Sequence, residues 1–374
     1  MSRVGQPITG GDETPMINVG VDVHKIFCQA CLKDNDGTIL EEFRFRNNLE
    51  GADKLAKVLQ KHGESKVALE STGNLWVKLY DRLDQEENID VILTNPKKTR
   101  VIAEAKIKTD KIDARLLSDL VRADLVARSY VPPKEIRMQR ALLRERISLV
   151  ESRTTIKNRI HALLDKYEIQ PGYTDLFGKK GMIWLRTLHL PDIDQTILEV
   201  NLQRLEELEA HIDAFTCKIA KEAITKPEVK LLMGFTGIDY YSAMLLASEI
   251  GDIKRFPSAK KLVSYAGLAP GTRQSADKTI HGHIVKEGNK RIRWILVEAA
   301  QHASRSDPRL QPFYQRILKR RGYQKAIVAV ARKMLVSIYH VLSKSEVYQG
   351  ENSQLLQRKL KRLEWKVSHN LHAE

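Results

Sequence analysis

The chain is poor in cysteine and in unbroken apolar runs, and each shortage excludes a class of protein. Cys28, Cys31 and Cys217 are its only cysteines. They are too few and badly placed for a disulfide framework, so the expected setting is the cytoplasm. Cys28 and Cys31 form a Cys-x-x-Cys pair, but it sits inside the alternating apolar stretch Ile26 to Leu32 and no second pair follows. That context reads as a structural strand rather than a zinc or redox site. No apolar run approaches the roughly 18 residues that span a bilayer, so no membrane partner is expected. Residues 1–15 (MSRVGQPITGGDETP) lack the apolar core of a signal peptide and read as a disordered leader. Acidic residues are outnumbered as well: 47 Asp and Glu stand against 62 Lys and Arg, for a net charge of +15 at pH 7. With a membrane set aside, that excess points to nucleic acid.

With 374 residues there is room for two or three domains. The β-branched stretch from Ile17 to Val23 reads as a buried strand carrying Asp22 near its end. Strands over Ile26–Lys33 and Ile39–Arg46 follow, with Asp34-Asn35-Asp36-Gly37 as the turn between them. A helix over Glu50–Lys61 leads to the strand Lys66–Glu70, again ending in an acid, then to a helix over Leu75–Leu83 and a strand over Ile89–Leu93. This order predicts a partly parallel central sheet, in which functional groups gather at the carboxyl ends of strands.

From Ile136 onward the pattern becomes long and helical. Leu142, Leu149, Ile156 and Leu163 recur every seven residues, and Leu205, Leu208, Ile212, Phe215 and Ile219 alternate spacings of three and four. Both are coiled-coil signatures, compatible with an antiparallel hairpin inside one chain or with a seam between protomers. Leu231 to Gly251 holds a Gly-x-x-Gly turn between two helical patterns, either a helix-hairpin-helix able to grip phosphate or an ordinary helical turn. The stretch Gly267–Ser275 reads as a loop, helices follow over Ile292–Ser304 and Gln324–Leu342, and a basic tail closes the chain. The expected division is therefore a leader 1–15, an α/β domain 16–132, a helical segment 133–226, a mainly α domain 227–345 and a tail 346–374.

Lys108-Thr109-Asp110-Lys111-Ile112-Asp113-Ala114-Arg115 is the stretch around which the rest is arranged. In a helix, residues three apart share a face, so Asp110 and Asp113 would present two carboxylates side by side among cations. Together with Asp22 and Glu70 at strand ends, four acids could converge at one sheet edge and hold two Mg²⁺ ions roughly 3.5–4 Å apart. Paired ions of this kind promote phosphodiester cleavage. Singly, each acid reads as a turn or cap residue.

Gly20-Val21-Asp22-Val23-His24-Lys25, Leu69-Glu70-Ser71-Thr72-Gly73 and the Asp110 stretch resemble the motifs of the DEDD transposases of the insertion-sequence 110 family. The similarity continues through Glu249-Ile250-Gly251-Asp252, Tyr265-Ala266-Gly267-Leu268-Ala269-Pro270, Ser275, Lys286-Glu287-Gly288-Asn289 and Arg291-Ile292-Arg293. The resemblance implies a RuvC-like, RNase H-type N-terminal domain and a C-terminal transposase domain. It implies a DNA recombinase of a mobile insertion element, guided by a structured non-coding RNA to donor and target DNA. The metal tetrad would be Asp22, Glu70, Asp110 and Asp113, binding Mg²⁺ with Mn²⁺ able to substitute. Ser275 would be the nucleophile forming a covalent phosphoserine link to DNA; where the family's serine is usually followed by glycine, Ala276 stands here. A homo-oligomer, dimeric or tetrameric, and association with the nucleoid are implied too.

Beside these, Lys108, Lys111, Arg115, Arg273, Lys278, His283, Lys286, Asn289, Lys290, Arg291 and Arg293 are candidate nucleic-acid contacts. His24, His281 and His283 could touch metal or phosphate, or be exposed structural histidines. Two other readings stand: a RuvC-like nuclease or junction resolvase that uses water in place of Ser275, and a non-catalytic nucleic-acid scaffold. An actin-like ATPase also opens on a strand ending in Asp, but the glycine-rich phosphate loops it needs are missing.

Overall fold

A computed structural model describes residues 16–96, 98, 99, 109–275 and 278–369; the expected leader and Lys108 lie outside them, as do the side chains of residues 272–281. The chain divides into two compact units between Val131 and Pro132.

The first unit is built on a five-stranded sheet of order β3-β2-β1-β4-β5. Its strands are β1 (Ile17–Val23), β2 (Phe27–Lys33), β3 (Ile39–Arg46), β4 (Ser65–Ser71) and β5 (Ile89–Leu93). β1, β2 and β3 form an antiparallel meander, whereas β4 runs parallel to β1 and β5 parallel to β4. On one face α1 (Leu49–His62) and α2 (Val77–Leu83) bury Leu55, Leu59, Leu79 and Leu83 against Val19, Val21 and Val67. On the other lies α3 (Asp110–Arg122), which buries Ala114, Leu117, Leu120 and Val121. β1 is therefore covered on both sides: Ile17, Val19, Val21 and Val23 enter the core under α1 and α2, and Gly20, on the alternate face, meets α3.

Cys28 and Cys31 sit on β2, fully buried, and burial pushes both thiols up to about 12. Residues three apart on a strand point to opposite faces, so this pair cannot close around one ion.

In the second unit α4 (Lys134–Lys166) and α6 (Asp192–Ile224) pack side by side, with the short α5 (Lys179–Thr187) between them in sequence. Arg146 bonds Thr216, Arg153 pairs with Glu209 and Lys166 with Asp194. As one number rises the other falls, so the two helices run antiparallel within the chain. Several cations of α4 are paired inside the unit: Arg144 and Arg140 face Glu249, and Lys157 lies 3.8 Å from Glu209.

The main core of this unit joins the base of that helical pair to α7 (Pro227–Met233), α8 (Tyr240–Ile250), α9 (Ala259–Tyr265), α10 (Lys290–Ser306), α11 (Gln311–Arg321), α12 (Tyr323–Lys344) and α13 (Ser353–Ser368). α12 is long and apolar enough by composition to cross a membrane, but it buries Ile327, Val330, Met334, Leu335 and Ile338 in this core. The expected loop at Gly267–Ser275 is replaced by a hairpin of β6 (Pro270–Ser275) and β7 (Lys278–Ile284). Neither Asn-Gly nor Asp-Gly stands between the two strands in the sequence, so the strongest sequence signal for a hairpin is absent.

The basic tail forms a largely exposed helix that is nonetheless anchored to the unit. α13 buries Leu363 and directs the Lys359 ammonium into the Gly234–Gly237 turn, where the carbonyls of Met233, Phe235 and Ile238 each accept a hydrogen bond of 2.7 Å. Burial lowers the Lys359 pKa to about 8.

Candidate metal centre and its surroundings

Asp22 and Glu70 occupy matching positions in the parallel register of β1 and β4. Directly paired residues leave the sheet on the same side, here the side covered by α3. Gly20 explains how closely that helix approaches: a Cβ at this position would lie 2.1 Å from the Ala114 carbonyl oxygen and 2.5 Å from the Ser118 nitrogen. The Ser118 hydroxyl then donates to the Asn18 carbonyl at 2.8 Å, and Lys33 pairs with Asp119 at 2.6 Å. These contacts place the first turn of α3 over the carboxyl end of β1.

Thr109 caps that helix, its hydroxyl accepting from the Ile112 amide at 3.3 Å, so Asp110 and Asp113 both fall in the first turn. Carboxylates are stabilised there by the unpaired amides and the positive end of the helix dipole.

His24 Nε2 lies 2.9 Å from an Asp22 oxygen and 3.2 Å from an Asp110 oxygen, bridging strand and helix. Asp22, His24 and Asp110 can each offer a ligand atom, all within 4.8 Å of one another. The Arg44 guanidinium approaches the other Asp110 oxygen at 3.9 Å and covers the Phe27 ring at 3.1 Å. Burial pushes the Asp22 carboxyl above its ordinary value; His24 opposes this, while the charges of Asp110 and Asp113 push it further up. A half-buried carboxylate crowded by two others is what a cation would relieve. Hard carboxylate oxygens with one imidazole nitrogen suit a divalent ion such as Mg²⁺ or Mn²⁺.

His24 and Arg44 are the residues that sequence reasoning left without a firm role. One signal for His24 was present, because residues two apart on a strand share a face. Arg44 had none: it reaches the site from β3 across the meander.

The other candidates divide by environment. Lys111 is exposed, and Arg115 holds Glu42 through a 2.7 Å bond and a second, shorter one, which keeps the Glu42 carboxyl below its usual range. In the second unit His283, Lys286 and Lys290 are exposed and Arg291 is half-buried. Asn289 is engaged at both ends of its side chain, capping α10 through Oδ1 and donating from Nδ2 to Glu249 at 2.7 Å. Arg293 donates to the Ala266 carbonyl. Ser275 closes β6, paired across the hairpin with Lys278, and Arg273 lies two residues earlier on the same strand. The amide end of α8 is already capped, by Asp239 and Ser242 in a reciprocal pair of bonds, so an acid stands where phosphate would otherwise bind.

Comparison with known proteins points one way. A DEDD transposase family model of the IS110 type, described as a transposase, matches residues 19–169, and one described as the transposase IS116/IS110/IS902 family matches residues 229–315. The transposase for insertion sequence element IS1111A of Coxiella burnetii is 24% identical, over 88% of this chain and 90% of its own length. Two Sinorhizobium fredii proteins whose names assign them as transposases are also similar. One, y4rJ, is 30% identical over 66% of this chain and 69% of that one. The other, y4qE, is 33% identical over 52% of this chain and 48% of that one.

Proposed function

The chain belongs to the IS110 family of insertion-sequence transposases, enzymes that cleave and rejoin DNA, and from that premise we propose that its first unit is a RuvC-like metal-dependent domain. What supports this reading is the convergence of Asp22, His24 and Asp110, whose ligand atoms lie within 4.8 Å of one another, with Asp113 in the same helix turn and Glu70 beside Asp22 in the β1–β4 register. Asp22 and Asp110, with Glu70 and Asp113 beside them, would hold Mg²⁺ or Mn²⁺. Such ions would supply Lewis-acid stabilisation of charge on a scissile phosphate. His24 keeps Asp22 and Asp110 aligned, and Arg44 adds positive charge where a phosphate would arrive.

Ser275 serves as the nucleophile. Its hydroxyl gives up a proton as the Oγ–P bond forms; the P–O bond to the departing deoxyribose oxygen breaks, and that oxygen leaves protonated. Attack by a deoxyribose hydroxyl on the phosphoserine reverses these changes and reseals DNA. Since Ser275 belongs to the second unit, the reaction needs both units, in one protomer or across an oligomer. A structured guide RNA binds the exposed cations of the second unit, His283, Lys286 and Lys290 among them.

Asp110→Asn tests the metal centre. It should lower Mn²⁺ affinity at least tenfold in a calorimetric titration and abolish DNA cutting, with RNA binding retained. Unchanged Mn²⁺ binding and cutting would leave a scaffold whose acids are structural.

A further inference from the structure

We infer that the groove between β3 and α1 is the track along which the DNA strand to be cut reaches the acidic cluster. This rests on the metal-centre reading above for the strand's destination, but its own support is separate. β3 is an edge of the five-stranded sheet, and a groove of about 1070 Å³ runs where its outer side meets α1. Arg44 and Arg46 line it from the strand and Lys54, Lys57 and Lys61 from the helix; all five are exposed. Of the two acids that line it among the described residues, Asp53 is already held by Arg82 at 2.5 Å, leaving Glu50 against these five cations.

Spacing adds to charge. Lys54, Lys57 and Lys61 are three and four residues apart and so form one stripe along α1. At 1.5 Å per residue the stripe is about 10 Å long. A DNA strand at about 3.4 Å per nucleotide carries roughly three phosphates over that length.

Arg44 joins the groove to the cluster. It lines the groove, sits over the Phe27 ring, and reaches to 3.9 Å from Asp110. A strand held by the lysine stripe would therefore pass Arg44 before meeting the acids. The charge favours a phosphate backbone over a polypeptide added to the β3 edge, and the approach to the cluster favours the strand being cut over a guide that is not.

The test uses the full chain with Lys54→Gln, Lys57→Gln and Lys61→Gln combined, and a second variant with the three changed to Glu. None of these side chains enters the core, and circular dichroism checks the fold. Affinity for a fluorescent single-stranded DNA is measured by anisotropy across a range of salt concentrations. The glutamine variant should bind about a hundredfold more weakly at 0.1 M salt, and its log–log salt slope should fall by about 2, near 0.7 for each phosphate no longer neutralised. The glutamate variant should bind more weakly still, and Mn²⁺ affinity of both should match wild type. DNA carrying a photoreactive phosphorothioate should crosslink to the peptides holding residues 44–61 in wild type only. DNA affinity within twofold of wild type, crosslinks elsewhere, or crosslinks made by RNA of the same sequence and not by DNA would each overturn the proposal. Because these readouts are of DNA binding, the groove can fail with the metal centre intact. Loss of the metal centre alone would appear in Asp110→Asn.

Discussion

At the scale of single residues, the centre depends as much on an absent side chain as on the acids. Gly20 is what lets α3 lie against β1, since any Cβ there would meet backbone atoms of Ala114 and Ser118 that cannot turn aside. Gly20→Ala should cost about 1–3 kcal/mol in urea unfolding, the usual cost of overpacking. It should also weaken Mn²⁺ binding, because pushing α3 outward separates Asp110 from Asp22. Stability and Mn²⁺ affinity both equal to wild type would show that the close approach is not what sets the site. The reason this could not be read from sequence is that a glycine two residues before a strand-end acid looks like a weak point in a strand; its use appears only with the helix that covers it.

Among the elements, the second unit is tied together by one buried carboxylate. Glu249, at the end of α8, accepts from Arg144 of α4 at 2.8 and 2.9 Å and from Asn289 at the start of α10 at 2.7 Å. Burial alone would raise its pKa, but the bonds from Arg144 and Asn289 and the charges of Arg144 and Arg140 leave it below the ordinary value. A carboxylate whose folded pKa is depressed contributes stability above its unfolded pKa and loses it as pH falls through the folded value. Stability of the wild type should therefore decline with particular steepness below about pH 4.5, and Glu249→Gln should flatten that decline. At pH 7 the variant should be about 3 kcal/mol less stable in urea, because Arg144 is left without its charge partner. Identical pH profiles would show that other carboxylates govern acid stability. Sequence periodicity anticipated α4, α6, α8 and α10 here, since each has an apolar stripe. It could not anticipate this junction: Asn289 reads in sequence as a candidate nucleic-acid contact, and no local pattern pairs it with Glu249, forty residues earlier.

The whole molecule raises a different question, because the two parts of the proposed chemistry lie in different units. Ser275→Ala should eliminate any covalent protein–DNA adduct on a denaturing gel while leaving Mn²⁺ affinity and the salt-dependent binding of nucleic acid at wild-type levels. An adduct that persists would move the nucleophile elsewhere. Cutting without an adduct in the wild type would instead favour water as the nucleophile, the chemistry of a resolvase.

The order of strands and helices in the first unit, the two-acid turn of α3 and the long helices of the second unit were all determined by sequence alone, because local periodicity and capping chemistry set them. Thr109 before Asp110, and β-branched residues through β1, are sufficient instructions at that range. Only tertiary structure decided which acids meet and which cations remain exposed. Asp22 and Glu70 are neighbours through the parallel register of β1 and β4, Arg44 arrives across the meander, and Lys359 fills a turn more than a hundred residues away. Such contacts rest on close packing and on the pairing of buried charges between segments far apart in the chain, and no local pattern encodes which distant residue will satisfy them.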